Sequence, residues 1–161
     1  MARDPLATAR LIALAAPALL LGGALLSQYA GGLYPCEMCY WQRWPHAAAI
    51  ALAILAILLR RSAAGRALTA LAAVAILVSG AIGIFHAGVE YHWWQGLTQC
   101  STGPGAGGGD VLANIWATPL IRCDQAQWTL GGISLAGYNA LFSIGAAIAI
   151  FVLLGRRGAA R

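Results

Sequence analysis

Two cysteines separated by two residues stand just ahead of an apolar run, in the stretch Tyr34-Pro35-Cys36-Glu37-Met38-Cys39-Tyr40-Trp41-Gln42-Arg43-Trp44. A disulfide between Cys36 and Cys39 closes a small, strained ring. At a helix start, the positive end of the helix dipole and the Arg43 guanidinium favour thiolate on one of the two sulfurs, so the pair can exchange. The same spacing also suits half of a metal site, a structural bridge or two inert thiols. Zinc needs four ligands at compatible spacing, and the other two cysteines, Cys100 and Cys123, have no histidine between them.

Three further residues have types that suit this chemistry. Arg43 is the lone cation among Tyr40, Trp41 and Trp44. A guanidinium flanked by aromatic planes suits the polar headgroup of a lipophilic molecule, and the alternative is an ordinary interfacial belt of anchors. His86 and Glu90 follow the third apolar run at an i, i+4 spacing and share one face if the helix continues. They can relay a proton to a bound acceptor, or they form a polar helix end that reaches water.

Composition indicates what must position these groups. Of 161 residues, 60% are hydrophobic and 9% charged, whereas a soluble domain carries about a quarter charged residues. The chain therefore belongs in a membrane. All ten basic residues are arginine. Arg3 and Arg10 precede the first apolar run, Arg60, Arg61 and Arg66 separate the second from the third, and Arg156, Arg157 and Arg161 follow the last. Only Arg43 and Arg122 lie elsewhere, with Glu37, Glu90, Asp110 and Asp124 near them. The positive-inside rule puts both termini and the middle connection in the cytoplasm and both cysteine pairs outside, where disulfides form and persist. Arginines divided among short segments between spans do not make a nucleic-acid surface.

The expected fold is an all-α membrane protein, a four-transmembrane-helix bundle forming one domain. Spans are expected at about 11–28, 44–59, 67–86 and 130–154, with outer connections at about 29–43 and 87–129. Arg3 and Arg10 ahead of an apolar segment also fit a secretory signal, but the segment is expected to stay as the first span, because the next connection needs it for its orientation. The second span is short: sixteen residues separate Arg43 from Arg60, about 24 Å of helix against a hydrocarbon core of about 30 Å. Pro17 is a possible kink, and Gly22-Gly23 a close-packing spot. The last span is expected to start near Gly131-Gly132 and to hold Asn139 as an interhelical polar group. Between the third and last spans, 101–110 is rich in Gly, and 111–116 reads as a short interfacial helix ended by Pro119. If Cys100 and Cys123 join, closing their loop is worth roughly 3 kcal/mol of chain entropy, a staple that a membrane bundle hardly needs. This favours an exchangeable second pair.

Taken together, these residues resemble the bacterial disulfide-bond formation protein B family, DsbB. The resemblance covers the whole chain: four spans, Cys36 and Cys39 followed by Arg43, and the Cys100 and Cys123 pair in the larger outer loop. It implies a multi-pass protein of the bacterial inner membrane that reoxidises the periplasmic thiol oxidase DsbA and reduces ubiquinone or menaquinone. Cys100 and Cys123 would be the pair attacked by reduced DsbA, with Cys100 forming the mixed disulfide. Cys36 and Cys39 would reoxidise that pair, Cys39 would pass electrons to quinone, and Arg43 would hold the quinone headgroup, with His86 and Glu90 as further candidates for quinone contact. No flavin, haem or metal is expected. With DsbA at about −120 mV, an acceptor couple at about −180 mV would leave the transfer uphill by about 60 mV, roughly 2.8 kcal/mol for two electrons, so a more oxidising acceptor is required. The alternatives are a related membrane thiol oxidoreductase with a different thioredoxin-fold partner, or a disulfide-stapled membrane scaffold or transporter.

Overall fold

The computed structural model describes residues 4–97, 101–102 and 120–156. Four α-helices dominate it: α1 (Pro5–Tyr29), α2 (Glu37–Leu58), α3 (Ala63–Glu90) and α4 (Leu135–Gly155). α3 packs most extensively against α2 and α4, and α1 closes the bundle against the same two helices. Three helices, α1, α3 and α4, are long and apolar enough to cross a membrane. In α2, Gln42, Arg43, Pro45 and His46 interrupt the apolar run, which is clean only from Ala47 onward.

Three of the four helices, α1, α2 and α4, start at a side-chain cap. Asp4 accepts a hydrogen bond from the Leu6 amide at 3.1 Å, with Pro5 in the first turn. α2 is capped by Cys36, whose Sγ accepts from the Cys39 amide at 3.4 Å. Ser134 Oγ caps α4 by accepting from the Gly137 amide at 3.1 Å. α1 and α3 extend beyond the expected spans, from Pro5 rather than Leu11 and to Glu90 rather than His86. The 28 residues of α3 make a rod of about 42 Å, longer than a hydrocarbon core of about 30 Å.

The start of the last helix differs from expectation. Gly131 and Gly132 lie not in a helix but in the turn between two short antiparallel strands, β3 (Thr129–Leu130) and β4 (Ile133–Ser134). Their φ angles of 57° and 79° suit a tight hairpin turn that glycine adopts without steric cost. Tyr91 pins this hairpin to the end of α3: its hydroxyl donates to the Gly132 carbonyl and accepts from the Ser134 amide, both at 2.9 Å. A second ladder joins β1 (Ser101–Thr102) to β2 (Leu120–Ile121). The interfacial helix expected at 111–116 lies outside the described residues.

Small side chains let the helices approach. The main core is an alanine seam, with Ala9, Ala13, Ala49, Ala53, Ala72, Ala73 and Ala147 around Ile76 and Ile150, as suits helix contacts in lipid. At Gly80 a Cβ would lie 2.9 Å from the Ile144 side chain, and at Gly83 3.0 Å from the Ala136 carbonyl. The close seam is thus between α3 and α4. Gly22 and Gly23, expected to pack tightly, have open space at the Cβ position, and Gly23 lines a cavity instead. Large apolar side chains such as Leu26, Leu58, Leu141, Ile148 and Val152 point outward, which for a membrane protein is the lipid-facing surface.

Candidate active site

Helix polarity sorts the chemistry to one end. Arg10 donates to the Arg60 carbonyl at 3.1 Å and Arg66 donates to the Leu154 carbonyl, so the start of α1, the α2–α3 connection and the end of α4 lie together. Cys36 and Cys39 lie at the opposite end of the bundle. Cys36 Sγ is 3.2 Å from Cys39 Sγ and donates to it. A separate segment comes down over this turn: Ile121 and Cys123 pack against Cys36, Met38 and Val89, and Gln127 donates to the Tyr34 carbonyl. Hydrogen bonding to Cys123 and Cys39, together with burial, pushes the Cys36 thiol well above its ordinary range.

Behind the cysteines runs a chain of buried polar groups. Gln42 donates one amide N–H to the Met38 carbonyl at 3.1 Å and the other to His86 Nδ1 at 2.8 Å. Its Oε1 accepts from Asn139 Nδ2 at 2.8 Å. With Nδ1 accepting, the His86 proton sits on Nε2, which lies 3.4 Å from Cys36 Sγ and 3.6 Å from Glu90 Oε1. Asn139 continues the chain: its Oδ1 accepts from Ser143 Oγ at 3.1 Å and lies 2.8 Å from His46 Nε2. Ser79 joins α3 to α2 by donating to the Gln42 carbonyl at 2.9 Å. Donors and acceptors in an apolar interior must be paired, and this pairing fixes the orientation of His86.

These groups border a cavity of about 300 Å³ between α1, α2 and α4. Cys36, Cys39, Arg43, His46, His86 and Glu90 all reach it, and Leu19, Leu20 and Phe142 supply apolar wall. Arg43 donates to Gln28 Oε1 and to the Ala24 carbonyl, and its guanidinium lies 5.2 Å from the Tyr40 ring centre. Among the described residues no carboxylate lies within ion-pair distance of it, so its charge is available to a ligand. An apolar hollow with a few converging polar groups is the usual form of a small-molecule site. The family model for "Disulfide bond formation protein DsbB" matches residues 7–153.

The chain belongs to the DsbB family. Membership makes it a multi-pass membrane oxidoreductase of disulfide-bond formation. The chain is also 25% identical over 128 residues to "Uncharacterized protein RP370" of Rickettsia prowazekii (strain Madrid E), covering 77% of this chain and 73% of that protein. No solved structure matches it.

In this DsbB family member, Cys36, Cys39, Arg43, His86 and Glu90 come together on one cavity, with Cys123 packed beside Cys36. Cys100 lies outside the described residues. Glu90 is not a helix end reaching water: its side chain is only 7% exposed. Sequence reasoning passed over Gln42, His46 and Ser79, although the i, i+4 spacing of Gln42 and His46 was a legible sign of one polar helix face.

Proposed function

We propose that the protein oxidises a DsbA-like periplasmic thioredoxin-fold partner and passes the electrons to a membrane quinone, ubiquinone or menaquinone. It sits in the bacterial inner membrane with four spans and both termini in the cytoplasm. α2 serves as a span because the residues that lower its hydropathy turn inward: Gln42 and His46 are 6% and 3% exposed. The observation that carries the reading is the convergence of a dithiol, a guanidinium and a buried histidine on one cavity, with Cys123 packed beside Cys36.

The relay takes the role of Cys100 from the family likeness and its inner step from the packing of Cys123 beside Cys36. A thiolate of reduced DsbA attacks the Cys100–Cys123 disulfide at Cys100, forming a mixed disulfide and releasing Cys123 as thiolate. Cys123 attacks Cys36 of the Cys36–Cys39 disulfide, so a Cys36–Cys123 bond forms and Cys39 leaves. The partner's second thiol resolves the mixed disulfide, freeing Cys100, which restores its bond to Cys123 and releases Cys36. Two electrons and two protons have then moved from the partner to Cys36 and Cys39.

A quinone, when bound, supplies a two-electron, two-proton oxidant that lets Cys36 and Cys39 close again. The residues present fit it: Arg43 offers hydrogen bonds and positive charge to a headgroup oxygen, and Leu19, Leu20 and Phe142 offer apolar wall. Cys36, which donates to Cys39, holds its proton, so Cys39 is the sulfur that passes electrons on. His86 keeps Nε2–H directed at the dithiol while Gln42 donates to its Nδ1.

Mixing the purified full chain with reduced DsbA-like oxidase and a soluble quinone analogue tests this. Quinone absorbance should fall with the native chain and stay constant with Cys39→Ser. No fall with the native chain, or turnover by Cys39→Ser, would refute the reading.

A further inference from the structure

The sulfurs beside His86 also have the arrangement of a metal site. Cys36 Sγ, Cys123 Sγ and a His86 ring nitrogen all lie within 4.8 Å of one another, and the three residues are 2%, 7% and 2% exposed. Tetrahedral zinc, with Zn–S of about 2.3 Å and Zn–N of about 2.0 Å, holds a sulfur and a nitrogen ligand about 3.5 Å apart. Cys36 Sγ and His86 Nε2 are 3.4 Å apart. The fourth position faces the cavity that Cys36 and His86 line, and Glu90 Oε1 stands beside the site, 3.6 Å from the same nitrogen.

We infer that the reduced protein binds a thiophilic divalent cation of the zinc class through Cys36, Cys123 and His86. The set is two cysteines and one histidine with a fourth position open to the cavity, a combination zinc accepts. Binding releases the two thiol protons and needs the ring proton to move from Nε2 to Nδ1, at the cost of the hydrogen bond that Gln42 donates to Nδ1. The cavity, which Cys36, His86 and Glu90 all line, is the entry path. Cys39 is not a ligand and keeps its place next to Cys36. Only the reduced chain can bind, because in the oxidised chain both sulfurs are in disulfides. The inference does not rest on the quinone reading, since binding is read without partner or quinone.

The full chain, purified in detergent and reduced, is titrated with Co²⁺ and then with Zn²⁺. One Co²⁺ per chain is expected, with thiolate-to-cobalt charge-transfer absorption and the intense visible bands of tetrahedral cobalt, displaced by Zn²⁺. Cys36→Ser and Cys123→Ser should lose the charge-transfer band, and His86→Ala should weaken binding by at least about 100-fold, the upper end of what losing a supporting contact does. Cys39→Ser should retain the site. Helical circular dichroism of each variant separates lost ligands from lost folding, and Glu90→Gln, which leaves the sulfurs untouched, should weaken binding about 10-fold. A weak octahedral spectrum, binding that survives Cys123→Ser, or binding that disappears in Cys39→Ser in favour of a Cys36–Cys39 chelate would each overturn the inference.

Discussion

At one end of the bundle Arg10 and Arg66 donate to the carbonyls of Arg60 and Leu154, just beyond α2 and in the last turn of α4. At the other, Arg43 donates to Gln28 and to the Ala24 carbonyl, and stands in the wall of a cavity. Near the first end the interior is an alanine seam of fully buried small residues. Toward the second it gives way to a hydrogen-bonded chain from Cys36 through His86, Gln42 and Asn139 to Ser143. The same residue type thus closes helix ends on one side and presents charge to a hollow on the other. One end is built for packing, whereas the other forgoes packing and holds its polar groups oriented instead. Substitutions at the two ends should therefore be felt in different measurements.

The largest separation is expected at His86. Its Nε2–H lies 3.4 Å from Cys36 Sγ, and loss of a positioned proton donor typically costs about 100-fold or more in rate. His86→Leu should slow quinone reduction by about that factor. Mixed-disulfide formation with the partner, which in the proposed relay begins at Cys100, should proceed at the native rate, as a rapid-quench thiol-trapping assay will show. If both steps slow equally, His86 acts through the fold and the cysteine end is not specialised.

Arg43 comes next. A hydrogen bond to a charged donor is worth about 1.5–3 kcal/mol, so Arg43→Leu should raise the KM for a quinone analogue by about 10- to 100-fold. The KM for the partner should stay within about twofold. Equal rises in both would place Arg43 with the packing arginines.

A third prediction uses Cys36, whose thiol is held above its ordinary range by Cys123, Cys39 and burial. In the unfolded chain that thiol ionises near pH 8.5, whereas in the folded, reduced chain it stays protonated. The folded state therefore binds more protons above that pH, so stability is full below it and falls as pH rises. The slope reaches about 1.4 kcal/mol per pH unit. Thermal unfolding of the reduced chain should show a Tm that declines above about pH 8.5 more steeply than in Cys36→Ser. Parallel declines would mean that Cys36 titrates normally.

What was legible in the sequence reflects the range of the interaction involved. Cys36, Cys39 and Arg43 were readable because one helix start fixes them within three turns, and His86 with Glu90 because the period of one helix puts them on a face. The apolar runs located α1 and α3, although their caps lay several residues beyond the hydrophobic stretch. Gly131 and Gly132 read as part of a span because they interrupt an apolar run only briefly, and the positive φ angles that make them a hairpin are a backbone property. Gln42 and His46 were passed over at the outer end of a short span. Their role appears only when Asn139, 97 residues from Gln42 in the chain, donates across the bundle. The approach of Cys123 to Cys36 was legible only through the family resemblance, which has the two pairs exchange, because a long connection brings it there.

The smallest effect is expected at the packing end. Arg66 donates to the Leu154 carbonyl in the last turn of α4, where a cation satisfies an otherwise unpaired acceptor and complements the helix dipole, worth about 0.3–1 kcal/mol. Arg66→Ala should lower Tm by a few degrees at most, as differential scanning fluorimetry in detergent will show, and should leave the KM for the quinone analogue unchanged. The pair Arg43→Leu and Arg66→Ala is thus a crossed test, one moving KM with little change in Tm and the other moving Tm with no change in KM. Should Arg66→Ala raise KM, the alanine seam would have to transmit strain along α4 to Asn139 and so to His86, and the two ends could no longer be treated as independent parts of the bundle.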